Sequence, residues 1–307
     1  MARPNKVLVA YDGSPHSKDA LRWAVYFKRL MGTSVLAVKI FEPFNFSDNC
    51  DEVECESAGP ELLVRLAGDA YAKDVKLLED TKRETSNQGV DIDTELVSGN
   101  AASGLLETAK QHHADMIIVG SRGHGALEEL LVGSVAGKLV SLAHVPVMVV
   151  KNCSLAISGG VKNILVAYDG SQQSKEALEW AMDIGRVSEA RIVAVKVFEP
   201  LPLTMMYSMP EAGVAARMAA KLQEVQEADV KTMQAVKEFG RSNKMDIATE
   251  ILTGGAASAI LGFAEKHHVD LIVAGTRGHG LLEGLLVGSV TRSLVSASPI
   301  PVLVVKD

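Results

Sequence analysis

The sequence predicts an α/β protein of two tandem domains, each a five-stranded parallel sheet flanked by helices. Three observations carry this. The chain repeats itself. Val9-Ala10-Tyr11-Asp12-Gly13-Ser14 returns 157 positions on as Val166-Ala167-Tyr168-Asp169-Gly170-Ser171, and Gly120-Ser121-Arg122-Gly123-His124-Gly125 returns 155 positions on as Gly275-Thr276-Arg277-Gly278-His279-Gly280. Within each copy, short β-branched apolar runs alternate with longer segments of helical period, the pattern of a parallel sheet covered on both faces. Finally, 307 residues suffice for two domains of ordinary size, each with its own core.

The elements of the first copy follow in order. Lys6 to Tyr11 reads as the first strand. Ser14 is placed to cap the next helix, with Pro15 at its first position, where a missing N–H costs nothing. Ser34 to Phe41 is the second strand, and a long charged helix runs from Glu61 to Ser86. Strand Ile92 to Val97, helix Ala101 to His112, strand Met116 to Gly120, helix Ser134 to Ala143 and strand Val145 to Lys151 complete the copy. The polar, glycine-containing stretch 152–161 reads as a linker between domains 1–151 and 162–307. The change of offset from 157 to 155 places a net two-residue deletion in the second copy between the two repeated landmarks.

Composition excludes several classes. Acidic residues (38) outnumber basic ones (31), and no Lys/Arg cluster offers a stripe to follow a phosphate backbone, so nucleic acid is not expected as a partner. Cys50, Cys55 and Cys153 are too few and too irregular for a disulfide framework, which fits free thiols in a reducing compartment. No run is long and apolar enough to span a bilayer, and Met1 to Lys6 leads straight into a strand with no signal-peptide core. The expectation is a cytoplasmic protein with no membrane partner.

The strongest chemical signal follows the fourth strand. Gly120, Gly123 and Gly133-Ser134-Val135 recur as Gly275, Gly278 and Gly288-Ser289-Val290. Such a loop leaves the carboxyl end of a parallel strand, where open α/β sheets bind ligands, and returns at the start of a helix. Glycines let the backbone turn and bring N–H groups up to an anion, and the helix N-terminus adds unpaired donors. Phosphate is the expected anion. No Gly-Lys-Ser/Thr follows, so this is not a Walker loop, and it is not the Gly-x-Gly-x-x-Gly of a dinucleotide fold. Arg122 and Arg277 sit inside the loop, where they would neutralise phosphate charge.

The array Gly-x2-Gly-x9-Gly-Ser resembles the ATP-binding signature of the universal stress protein family. Beside it stand the aspartate ending the first strand, Glu42-Pro43 and Glu199-Pro200 after the second, and the closing Val145-Pro146-Val147 and Ile300-Pro301-Val302. The resemblance covers nearly all of both copies and implies a Rossmann-like fold of the adenine nucleotide α-hydrolase-like kind. It implies ATP, with or without Mg²⁺ or Mn²⁺, as ligand of both copies. The ribose or metal-phosphate end would lie near Asp12 and Asp169, and the adenine against the backbone around Ile40 and Val197. The phosphates would lie on Gly123, Gly133, Ser134 and Val135, and on Gly278, Gly288, Ser289 and Val290. In the family the closing strand pairs with its equivalent across a two-fold axis. The two copies are therefore expected to form an internal pseudo-dimer, with further homodimerisation and an unidentified protein partner in reserve.

Plainer readings stand beside these. Asp12 and Asp169 could cap the following helix, and Ser134 and Ser289 could be plain N-caps. His124 and His279 have no nucleophile or orienting acid placed to make a catalytic set. The pairs His112-His113 and His267-His268 fall at a helix end, where histidine meets the dipole favourably. The acidic stretch carrying Cys50 and Cys55 reads as a solvated flap, and its counterpart from Leu201 to Pro210 is apolar and methionine-rich. Two functions follow: a nucleotide-dependent stress-response module without efficient turnover, or a slow ATPase or nucleotide-cleaving enzyme. The lack of a positioned base or nucleophile favours the first.

Overall fold

The computed structural model describes residues 4–42, 60–123, 132–151, 159–199, 212–276 and 287–306. The chain divides into two compact units between residues 158 and 159. In the first, β1 (Lys6–Ala10), α1 (Pro15–Met31), β2 (Ser34–Phe41), α2 (Pro60–Asn87) and β3 (Asp93–Ser98) are followed by α3 (Ala101–Gln111), β4 (Met116–Gly120), α4 (Ser134–Leu142) and β5 (Val147–Val150). The second repeats the order with β6 (Asn163–Ala167), α5 (Gln172–Ser188), β7 (Arg191–Phe198), α6 (Ala212–Ser242) and β8 (Ile247–Thr253). It ends with α7 (Ala256–Lys266), β9 (Leu271–Gly275), α8 (Ser289–Ala297) and β10 (Val302–Val305).

Strands lie in the order β3-β2-β1-β4-β5 in the first unit and β8-β7-β6-β9-β10 in the second. The pairings within each unit are all parallel. The chain thus winds outward from β1 to β3, jumps back to β4 and winds outward the other way. Right-handed crossovers then put α1 and α2 on one face and α3 and α4 on the other. Adjacent side chains of β2 confirm the two faces. Lys39 Nζ lies 3.6 Å from Asp74 of α2, whereas a β-carbon added to Gly104 of α3 would fall 2.9 Å from Ile40 Cδ1.

Local chemistry explains the elements. Ser14 accepts a hydrogen bond from the Ser17 N–H, Pro15 opens α1, and Gly32 closes it at φ +76°. The helix buries Ala20, Leu21, Trp23, Ala24 and Phe27, a stripe of helical period, and burying each of the larger of these side chains stabilises the fold by ~1.5–3 kcal/mol. Ser171 caps α5 in the same way. Helices cover both faces, so strands such as Val7-Leu8-Val9 and Leu271-Ile272-Val273 are apolar at every position and fully buried. The turn before β4 anchors the start of β1. Asp115 Oδ2 accepts the N–H groups of Asn5 and Lys6 at 2.7 and 2.9 Å, and Asp270 Oδ2 those of Lys162 and Asn163 at 2.8 and 2.9 Å.

Element ends differ by a residue or two from the sequence expectation, with physical reasons. The closing strand starts at Val147 because Pro146 has no N–H to enter the ladder, although its carbonyl still accepts from Ile117 N at 3.0 Å. Helix α3 stops at Gln111. His112 takes its C-cap and His113 turns the chain at φ 52°, as His268 does at φ 50° after α7.

Candidate functional site

β1 and β4 lie side by side, yet the chain leaves them towards opposite faces, β1 into α1 and β4 towards α4. A crevice therefore opens at their carboxyl ends. It holds a cavity of about 1110 Å³, walled by the turn after β1, the end of β2, the middle of α2, the start of α3, Ser121 to Gly123 and the first turn of α4. Sites for drug-sized ligands run to ~300–1,000 Å³, so a nucleotide has room here.

The turn after β1 is fixed by its aspartate. Asp12 Oδ1 accepts the Ser14 N–H at 2.9 Å, and Asp169 Oδ1 accepts that of Ser171 at 2.9 Å. The helix caps are the serines, so each aspartate shapes the turn ahead of the cap. The other Asp12 oxygen reaches towards the glycine loop, because a β-carbon added to Gly123 would stand 2.6 Å from Oδ2. Only glycine permits that approach.

The loop closes on itself where it enters α4. Gly133 donates its N–H to the Ser121 carbonyl at 2.7 Å, and Gly288 donates to that of Thr276 at 2.8 Å. Gly133 and Gly288 occupy the N-cap positions of α4 and α8, and neither helix has a side-chain cap bond. This corrects the reading of Ser134 and Ser289 as N-caps: each is the first helical residue, because the extended backbone of the preceding glycine already fills the cap. Side chains leave the leading N–H donors of these helices uncapped, the arrangement that receives an anion. Val135 and Val290 follow in the same first turns, and Gly133, Ser134 and Val135 all line the cavity.

Gly120 has a separate reason to be glycine. A β-carbon there would fall 2.7 Å from the carbonyl carbon of His16, and one on Gly275 would fall 2.6 Å from Gln173 Cβ. Lacking side chains, these residues let the helix after the first strand press against β4 and β9. Ile40 is buried at the end of β2 and Arg122 is half-buried at the loop, both lining the cavity. Val197, paired with Leu252, holds the place of Ile40 in the second unit. Arg277 and Gly278 lie outside the described residues, as do His124, His279, Cys50, Cys55, Cys153 and the methionine-rich stretch 201–210.

Sequence reasoning missed four features. Lys39 on β2 pairs with Asp74 on α2 at 3.6 Å, and Lys196 with Asp229 at 3.1 Å, Lys196 also donating to the Asp169 carbonyl at 2.8 Å. The lysines are 157 residues apart and the aspartates 155, so the two-residue deletion falls between Lys39 and Asp74. Glu42 Oε1 accepts the Ala101 N–H at 2.6 Å and Glu199 Oε1 that of Ala256 at 2.9 Å, so the glutamate of each Glu-Pro pair ties down the start of a helix. The third is the buried Tyr11, whose hydroxyl accepts from Thr81 Oγ1 at 3.1 Å. The fourth is the buried Ser121, whose hydroxyl has no hydrogen-bond partner among the described residues. The first two were visible as identities between the repeats, Val-Lys-x-Phe-Glu-Pro and Asp-Val-Lys. The others depend on burial, which spacing does not report.

Charge at the site is mixed. Burial, then the nearby Arg122 guanidinium, hold the Lys151 ammonium below its ordinary pKa, so two cations gather where β4 and β5 end. Burial pushes the Tyr11 and Tyr168 phenols above their ordinary value. Among the described residues no three His, Cys, Asp or Glu side chains gather as metal ligands, and no helix is long and apolar enough to cross a membrane.

Comparison with known proteins matches both halves. A model of the universal stress protein family fits residues 4–151 and 160–306. A universal stress protein of Mycolicibacterium smegmatis is 28% identical over 312 aligned residues, covering 98% of this chain and 96% of that one. One from Methanocaldococcus jannaschii is 37% identical over 146 residues, 47% of this chain and 82% of its own length. The crystal structure of a universal stress protein from Archaeoglobus fulgidus superposes with a TM-score of 0.73 at 21% identity, covering 98% of both chains.

Proposed function

Because the chain belongs to the universal stress protein family, we propose that it is an ATP-binding regulatory module of the stress response, changing its shape or partner surface with nucleotide occupancy rather than turning ATP over efficiently. The observation that carries this is the crevice of the first unit. There the uncapped N-terminus of α4, the Asp12 carboxylate and the side-chain-free Gly123 converge on one cavity of about 1110 Å³. In this reading the phosphates lie on Gly123, Gly133, Ser134 and Val135, with Arg122 offsetting their charge. Asp12 takes the ribose or a Mg²⁺ or Mn²⁺ ion on the phosphates, and the backbone at Ile40 flanks the adenine. Asp169, Val197, Gly278, Gly288, Ser289 and Val290 form the second site, with Arg277 in its loop.

Regulation requires only that the two states of the protein differ in affinity for the nucleotide. The test is direct. The protein is purified, denatured, and the released nucleotide identified; fresh ATP is then followed over time on the native protein. Intact, co-purified ATP supports the module. Steady formation of ADP or AMP would replace it with a slow enzyme, and no nucleotide at all would leave a scaffold.

A further inference from the structure

We propose that the Ser121 hydroxyl is a phosphate donor at the start of α4, a contact outside the glycine pattern; this rests on the nucleotide reading above. Ser121 is 1% exposed, and its Oγ has no hydrogen-bond partner among the described residues. Its backbone is already committed, the N–H donating to the Val150 carbonyl at 2.7 Å and the carbonyl accepting from Gly133 N at 2.7 Å. The fold thus supplies the hydroxyl with no partner, a condition that a native structure has to account for and that a bound anion would account for.

Its direction follows from the sheet. In a parallel ladder, paired residues face the same side. Ile40 packs on Gly104 of α3, so Val38, two residues earlier, faces that side too. Val38 pairs with Ala10, and Ala10 with Val119. Ser121, two residues past Val119, therefore faces the α3 and α4 side, while Gly120 faces His16 of α1. That side carries the uncapped first turn of α4, a helix of 9 residues, and the Ser121 carbonyl is bonded to its N-cap glycine. The Arg122 and Lys151 cations next to it make the neighbourhood attractive to an anion.

The second unit has a hydroxyl at the same place, Thr276, also buried. It differs one turn into the helix, where Thr291 donates to the Gly275 carbonyl at 2.7 Å and the first unit has Ala136. A threonine at position 121 is therefore the conservative variant.

The experiment uses the full chain carrying Gly278→Val, so that binding reports the first site, and titrates it with ATP and with adenosine. Ser121→Ala is expected to weaken ATP roughly 10- to 100-fold, the loss of a hydrogen bond to a charged group. Adenosine affinity should stay unchanged, and Ser121→Thr should restore ATP binding. Unchanged ATP affinity in Ser121→Ala overturns the proposal, and so does an equal loss of ATP and adenosine, which would mark the residue as structural. If the unsubstituted chain binds no ATP, the nucleotide reading falls as well; that result is distinct from normal binding by a Ser121→Ala chain.

Discussion

Asp12 and Gly123 meet across the crevice: a β-carbon at Gly123 would lie 2.6 Å from Asp12 Oδ2, closer than carbon and oxygen can stand. The two residues, far apart in the chain, share one space. Gly123→Ala must push the carboxylate away, and Asp12→Ala removes it. Each is expected to weaken ATP by roughly tenfold or more, and the double variant should lose little beyond either, because both act on one carboxylate. Dissociation constants of the three variants decide it. Fully additive losses would separate the two residues.

Gly120 offers the opposite prediction. The atoms that an added β-carbon would meet are the His16 carbonyl and Cβ, which no rotamer change can move, so Gly120→Ala should destabilise the first unit by about 1–3 kcal/mol. Gly137, inside α4 with nothing within 4 Å of an added β-carbon, is the control. Its replacement by alanine should stabilise by ~0.5–1 kcal/mol through helix propensity alone. Urea midpoints measure both, and a Gly120→Ala midpoint at or above the parent's would show that the close approach is not required.

Gly120 and Gly123 show what the sequence discloses and what it hides. The repeat offset, the alternation of apolar runs and the Ser-Pro helix start make the α/β order legible, because period and capping are local chemistry. The glycine spacing points to the right loop. It does not separate Gly120, which serves helix packing, from Gly123, which serves the crevice, since both are only gaps in a pattern. Nor does it show that Gly133 rather than Ser134 caps α4, because that depends on backbone angles. Lys39 and Asp74 stay invisible as a pair because the long helix must fold back over β2 before they meet.

That pair carries the third prediction. The Lys39 and Asp74 side chains are 20% and 18% exposed, those of Lys196 and Asp229 16% and 10%. They sit between exposed pairs, worth ~0–1 kcal/mol, and fully buried ones, whose breaking costs ~3–5 kcal/mol. Asp229→Asn should cost more than Asp74→Asn, roughly 1–3 kcal/mol, because Lys196 is closer to its partner and also holds the Asp169 carbonyl. Asp229→Asn should also disturb nucleotide binding at the second site through that carbonyl. Denaturation and titration of each variant test the order, and equal effects would remove the special role of Lys196.

The last prediction concerns alkaline pH. Burial raises the Tyr11 and Tyr168 phenols above their ordinary 10.0, with the Thr81 hydrogen bond pulling Tyr11 partly back. In the window from 10.0 up to the raised values the unfolded chain has released protons that the native chain still holds. Stability is therefore fully present below 10.0 and falls as pH rises through that window, by up to ~1.4 kcal/mol per pH unit per phenol. Lys151 acts in the other direction. Its pKa is lowered from 10.5, so in the window from the lowered value up to 10.5 the native chain holds fewer protons than the unfolded one, and stability climbs through that window until the unfolded lysine loses its own proton. Urea midpoints taken across this range measure the sum of the climb and the fall. Replacing both tyrosines with phenylalanine should flatten the fall while leaving the climb, and a fall that survives the double replacement would assign it to other groups.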